Sequence, residues 1–132
     1  GLSARVDAHR LALGAGAGKA TIHIDPTSTG VSRLDLETAE RDAGAFSEHE
    51  EIEIARFDDL CDVEGRRAFV KIDVEGGAVG VLAGMSRFMS RNDPVFQIEV
   101  SPAEEAGVER LMRDLGFKEI RRFDRDAIFI KA

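Results

Sequence analysis

The side chains best placed to do chemistry in this sequence are three carboxylates, Asp73, Glu75 and Glu99. Asp73 and Glu75 close the segment Phe69-Val70-Lys71-Ile72-Asp73-Val74-Glu75, and two glycines, Gly76 and Gly77, follow at once. A period of two puts Lys71, Asp73 and Glu75 on one face of a strand and Val70, Ile72 and Val74 on the other. Glu99 stands near the end of a second such segment, Val95-Phe96-Gln97-Ile98-Glu99-Val100. Where two such strands are neighbours, the three carboxylates converge on one rim of the sheet. In open α/β sheets ligands bind just outside the carboxyl ends of the strands. Carboxylates placed there can bind a cation, fix the hydroxyls of a ligand or remove a proton. Gly76 and Gly77 lack a Cβ, so backbone and ligand can approach closely. The dipole of a following helix favours an anionic group at that turn. The same residues also admit a structural reading, with Asp73 or Glu75 capping the helix, Lys71 neutralising Asp73 and Glu99 solvated.

The elements that must hold these groups are read from hydrophobic periodicity. Residues 68–74 alternate and predict a strand. From about Gly77 to Ser90, the apolar residues Ala78, Val81, Leu82, Met85, Phe88 and Met89 keep helical spacing. Asp93-Pro94 ends that helix, and residues 95–100 predict a second strand. Ser101-Pro102 with Glu104 and Glu105 signals a helix start. Val108, Leu111, Met112 and Leu115 form its buried stripe, and Gly116 stops it. Residues 117–123 and 127–131 alternate about Asp124-Arg125-Asp126 and predict a terminal antiparallel hairpin. The C-terminal half therefore reads β-α-β-α-β-β, which implies parallel pairing, right-handed crossovers and one antiparallel strand. Upstream, residues 5–13 read as strand or extended chain, 14–18 as a hairpin turn, 19–25 as a strand and 26–49 as a long polar loop. Residues 52–57 alternate again, and Asp58-Asp59-Leu60 reads as the capped start of a short helix.

With 132 residues, 43% of them apolar, the chain suits one domain, residues 1–132, with a real core. Its formal net charge is −7, and a nucleic-acid surface needs a basic patch or stripe. The one short basic run, Lys118-Glu119-Ile120-Arg121-Arg122, alternates like a strand and reads as a solvated face. No nucleic-acid partner is expected. A lone cysteine, Cys61, cannot form an internal disulfide. No run has the length of a membrane span, and the first residues lack the basic and apolar regions of a signal peptide. The expectation is a cytoplasmic protein without a membrane partner.

Two familiar signals fail on mechanism. Gly14-Ala15-Gly16-Ala17-Gly18-Lys19 suggests a nucleotide loop, but a phosphate-binding loop would need Gly where Leu13 stands and Ser or Thr where Ala20 stands. A dinucleotide fingerprint must open a helix, whereas Thr21-Ile22-His23-Ile24 is a strand pattern. The three histidines, His9, His23 and His49, lack metal-ligand spacing. Gly-x-Ser-x-Gly is missing, so a nucleophile elbow is not supported.

The succession Lys71-Ile72-Asp73-Val74-Glu75-Gly76, then Val81-Leu82-Ala83-Gly84, then Pro94-Val95-Phe96-Gln97-Ile98-Glu99-Val100 resembles the FkbM-type S-adenosylmethionine-dependent methyltransferases. Ala12-Leu13-Gly14 with Gly18, Phe57-Asp58-Asp59-Leu60 and Leu115-Gly116-Phe117 resemble flanking pieces of that family, so the resemblance covers nearly the whole chain. It implies a Rossmann-like methyltransferase sheet, mostly parallel with a C-terminal antiparallel hairpin. Asp73 and Glu75 would then stand beside the methyl donor and the acceptor oxygen, Gly76 against the cofactor, and Glu99 on the same rim. The implied activity is O-methylation of a sugar or small metabolite, with S-adenosylmethionine as cofactor and a small-molecule acceptor as partner. The family commonly has an acidic residue two positions after the motif glycine, where this chain has Ala78. The family's first strand and glycine-rich loop, and the strand whose acidic end binds the ribose, are expected to lie outside these residues. The chain would then correspond to the C-terminal two thirds of such a domain and bind the cofactor weakly or not at all by itself.

Two other readings stand beside that one. A non-catalytic domain could keep the methyltransferase sheet and bind a partner with its edge or its acidic rim. A small enzyme could hold Mg²⁺ among Asp73, Glu75 and Glu99. In each case the strand at 68–74 is expected to have an uncovered edge, a template for self-association.

Overall fold

The switch from a two-residue to a helical period at residue 77, and back again at residue 93, sets the architecture. The structure, a computed structural model, describes residues 5–24, 32–35, 48–74 and 76–132. Glu75 lies outside the described residues. The first elements in chain order are β1 (Ala12–Leu13), β2 (Gly18–Ile24), β3 (Ser32–Asp35), β4 (Glu48–Ala55) and α1 (Phe57–Leu60). They are followed by β5 (Arg67–Ile72), α2 (Ala78–Ala83), α3 (Ser86–Arg91), β6 (Asp93–Glu99), α4 (Glu105–Asp114), β7 (Phe117–Phe123) and β8 (Asp126–Lys131).

The strands form two four-stranded sheets, in the orders β1-β4-β2-β3 and β5-β6-β8-β7. Among the described residues, the pairs β1–β4 and β5–β6 are parallel and the other four are antiparallel. This corrects the expectation of one mostly parallel sheet. A parallel neighbour needs a crossover of a dozen or more residues. The α2–α3 segment supplies one between β5 and β6, whereas the short turn at Asp124-Arg125 returns the chain antiparallel. The expected terminal hairpin is present, with β8 inserted between β6 and β7.

The even residues of β5 and β6 face the helices. Ile72, Phe96 and Ile98 pack with Leu82 of α2, Met89 of α3, Val108 and Met112 of α4, and Ala127 and Phe129 of β8. The rings of Phe96 and Phe117 meet edge to face, their centroids 5.5 Å apart. Burying such side chains contributes roughly 1.5–3 kcal/mol each, so this layer fixes where β5 and β6 end. The odd residues face the other way, and Phe69 there is 66% exposed.

Several expectations need correction in detail. Residues 5–13 form a strand only at Ala12–Leu13. Residues 14–18 do not form a hairpin turn, because β1 and β2 lie on opposite sides of β4 and do not pair with each other. The expected loop at 26–49 contains β3 and the start of β4; the remainder lies outside the described residues. The helix expected over 77–90 is two helices, α2 and α3, broken at Gly84-Met85. The break lies at a close backbone contact. A Cβ on Gly84 would stand 2.2 Å from the Gly14 carbonyl oxygen. The turn after β1 thus rests directly on the helix backbone.

Asp58 does not cap its own helix. It lies inside the first turn of α1, and its carboxylate accepts hydrogen bonds from the Arg87 N–H (2.8 Å) and the Phe88 N–H (2.9 Å) at the start of α3. Asp58 is 2% exposed, so the first turn of α3 is satisfied by a residue far away in sequence. At the other end of α3, buried Asn92 accepts from the Arg66 N–H and donates to the carbonyls of Val63 and Phe88. The start of β5 is thereby tied to the end of α3.

Replacing Gly84 by Ala forces the β1 turn and α2 apart and is expected to cost about 1–3 kcal/mol, read from the shift of a urea unfolding curve. Asp58→Ala strands two buried N–H groups and is expected to cost about 2 kcal/mol, with most of the loss recovered in Asp58→Asn by the same measurement.

Candidate functional site

The crossover from β5 through α2 and α3 makes β5 and β6 parallel, so both strands finish on the same rim. The register sets Lys71 opposite Gln97 and Ile72 opposite Ile98. Asp73 therefore leaves the sheet beside Glu99, as expected of neighbouring strands. β8 runs antiparallel, and its first residue, Asp126, pairs with Glu99. Three acids, Asp73, Glu99 and Asp126, thus meet at one corner of the sheet. The third catalytic candidate, Glu75, lies outside the described residues. Gly76 is present in the turn that follows, with a positive φ of 76°, a backbone state that favours glycine. Nothing stands within 4 Å of the place a Cβ on Gly76 would take.

The corner is organised by charge pairs. The Lys71 ammonium lies 2.8 Å from Asp126 Oδ1 and 3.4 Å from Asp73 Oδ2. The Gln97 amide donates to the same Asp126 oxygen at 3.0 Å. Arg125 lies 2.7 Å from Glu99 Oε1. The Asp73 side chain remains 57% exposed. Of the three acids it is the one most open to a ligand, since the exposures of Glu99 and Asp126 are 24% and 33%. Among the described residues, no group of three or more His, Cys, Asp or Glu side chains is arranged to hold a metal ion.

This arrangement can present a carboxylate to a hydroxyl or amino group at the end of a parallel strand pair, beside an open glycine turn. One family model, the methyltransferase FkbM domain, matches residues 2–127. The chain belongs to the FkbM methyltransferase family. No curated protein and no solved structure matches it. The mixed α/β architecture is consistent with a methyltransferase-like fold.

In this FkbM domain, the strand pattern revealed Lys71, Asp73 and Glu99 but not their partners. Gln97 shares the face of Glu99 by alternation, a signal that was legible. Arg125 sits in the hairpin turn and Asp126 opens β8, where sequence gives no hint of what lies alongside. The start of the glycine run packs on the helical layer: the Gly14 oxygen meets Gly84, and the Ala15 nitrogen lies against Gly80, while nothing stands within 4 Å of the place a Cβ on Gly16 or Gly18 would take. A shallow hollow lined by Arg67, Phe69, Asp93, Val95, Ile130 and Lys131 opens at the opposite end of β5 and β6, away from the carboxylates. Among the described residues, no helix is long and apolar enough to cross a membrane.

The hydrogen bond from Lys71 holds Asp126 below the ordinary aspartate range, with the Gln97 amide adding to the effect and desolvation opposing it. The same hydrogen bond raises Lys71, with desolvation again opposing. A carboxyl with a lowered folded pKa stabilises the fold above its unfolded value, and the contribution fades as pH falls through the folded value. A raised lysine contributes below its unfolded value and loses that contribution as pH rises through the folded one. Titration of the Asp126 carboxyl followed by NMR is expected to show a midpoint below that of an ordinary aspartate. Lys71→Met is expected to move that midpoint upward.

Proposed function

We propose that this FkbM domain transfers a methyl group from S-adenosylmethionine to a hydroxyl oxygen of a sugar or small metabolite at the rim formed by Asp73 and Glu99. The observation that carries the reading is the family match over residues 2–127 together with a more than half-exposed carboxylate, Asp73, at the end of the parallel pair β5–β6. The rim fits the donors of such a cofactor. Its carboxylates accept from ammonium and ribose hydroxyl groups, and the open backbone at Gly76 leaves room beside them. When bound, S-adenosylmethionine supplies an electrophilic methyl group, whose bond to sulfur breaks as the bond to the acceptor oxygen forms.

Each residue then has a definite task. Asp73 accepts the proton that the acceptor hydroxyl loses. Glu99, held by Arg125, orients the hydroxyl or a neighbouring one. Gly76 lets the ligand lie against the chain. Lys71 balances the charge of Asp73 without burying it. Holding donor and acceptor in line is the main contribution of the protein in a transfer of this type. A cytoplasmic setting goes with this reading.

Addition of S-adenosylmethionine to isotopically labelled chain is expected to shift the amide signals of residues 73–77 and 99–101. The binding is expected to be weaker than micromolar and lost in Asp73→Ala. Shifts confined to the hollow at Arg67 and Ile130 would overturn the assignment. Where methyl transfer to a polyol acceptor is measurable, Asp73→Asn is expected to lower turnover on the order of 10²–10⁴-fold.

A further inference from the structure

Lys71 has a choice of two aspartates, and strand geometry by itself would give it to Asp73. Those two residues alternate onto the same face of one strand. Asp126 belongs to β8, two strands away in the order β5-β6-β8-β7. Yet the ammonium lies 2.8 Å from Asp126 Oδ1 and 3.4 Å from Asp73 Oδ2. Gln97 bridges the gap between the strands. It sits opposite Lys71 on β6, and its amide donates to the same Asp126 oxygen at 3.0 Å. The pairing of Asp126 with Glu99 holds that aspartate at the rim. Three strands thus each contribute one group to a network that ends beside Asp73.

We propose that Asp126 and Gln97 are positioning residues for the transfer: together they hold the Lys71 ammonium away from Asp73 and leave the Asp73 carboxylate free to take the proton of the acceptor hydroxyl. The inference rests on the role given above to Asp73. The step concerned is a proton transfer. The acceptor O–H bond breaks, the proton goes to an Asp73 oxygen, and the electron pair stays on the acceptor oxygen for its new bond to carbon. An ammonium hydrogen-bonded to a carboxylate occupies one oxygen and favours the charged form. Such a carboxylate is a poorer proton acceptor.

The division of labour follows from charge. A hydrogen bond with an ionised partner is roughly twice as strong as a neutral one, so the ammonium stays with the carboxylate that it meets at the shorter distance. Lys71 is the first cause that holds Asp126 below the ordinary aspartate range, and the Gln97 amide is the second. At 3.4 Å Lys71 still offsets the charge of Asp73. Removing the charge of Asp126 while keeping its shape releases the ammonium to the other carboxylate.

The test is NMR of the isotopically labelled whole chain, reading the hydrogen-bond coupling from Lys71 Nζ to the side-chain carboxyl carbons. A coupling to Asp126 and none to Asp73 is expected. In Asp126→Asn the coupling is expected to pass to Asp73, and in Asp126→Glu Asp73 is expected to stay uncoupled, with circular dichroism confirming that each variant is folded. In methyl transfer to a polyol acceptor, Asp126→Asn is expected to lower kcat about tenfold or more with little change in the acceptor KM. Adding Lys71→Met is expected to restore most of that loss, which a merely structural Asp126 would not allow. A coupling from Lys71 to Asp73 in the unaltered chain would sink the proposal. So would an ammonium that stays in place in Asp126→Asn, or a loss of turnover that Lys71→Met leaves unrestored. The coupling is read without cofactor, so it can fail while the methyl-transfer reading stands. Cofactor-induced shifts confined to the hollow at Arg67 and Ile130 would instead remove that reading and leave the coupling result intact.

Discussion

The close approach of the Gly14 carbonyl to Gly84 is the constraint on which the rest depends. No side chain fits between them, so the turn after β1 seats directly on the helical layer of the second sheet. The contact falls where one apolar stretch divides into α2 and α3. The fresh helix start this creates would leave N–H groups unsatisfied in a buried place, and Asp58 answers them from α1. The Asp58 N–H in turn donates to the Gly84 carbonyl. Two glycines and one aspartate, distant in sequence, thus form a single junction that couples the two sheets. A carboxylate accepting two backbone N–H groups is strong because the acceptor is charged, and its burial makes the bond sensitive to geometry.

The junction matters for the rim because helix placement decides where the strands end. α2 and α3 cover the inner face of β5 and β6, and Asn92 links the end of α3 to the chain entering β5. Parallel strands of matched register then deliver Asp73 and Glu99 side by side. Like charges so placed would repel one another. The corner is relieved by Lys71 from β5 and Arg125 from the hairpin turn. Asp126 draws most of the interaction with Lys71, which leaves Asp73 exposed and available. The uneven sharing of one lysine between two aspartates separates a structural carboxylate from one open to a ligand.

The two faces of the second sheet are unequal. One carries a closed layer of Ile, Phe, Met and Val side chains; the other exposes Phe69 beside charged residues. An outer strand with half its peptide groups directed away from the sheet combines with that open face.

By itself, the sequence determined strands read at 68–74 and 95–100 and found at 67–72 and 93–99, a helix ending before Gly116, the terminal hairpin and, for neighbouring strands, the placing of Asp73 and Glu99 on one rim, because period, capping residues and turn glycines are local properties of the chain. The resemblance carried by the run from Lys71 to Gly76 also gave the family. The tertiary structure alone decided that the sheets are two and mixed, that the helix after Gly77 is broken, and that Asp58 serves α3 and not α1. It also decided that Lys71 binds Asp126 more closely than Asp73. Each of these rests on contacts between residues distant in sequence: a backbone oxygen against a glycine, a carboxylate facing a helix start, a hairpin turn laid beside a strand end. Periodicity records which face of an element is buried, and it carries no record of which partner lies against that face.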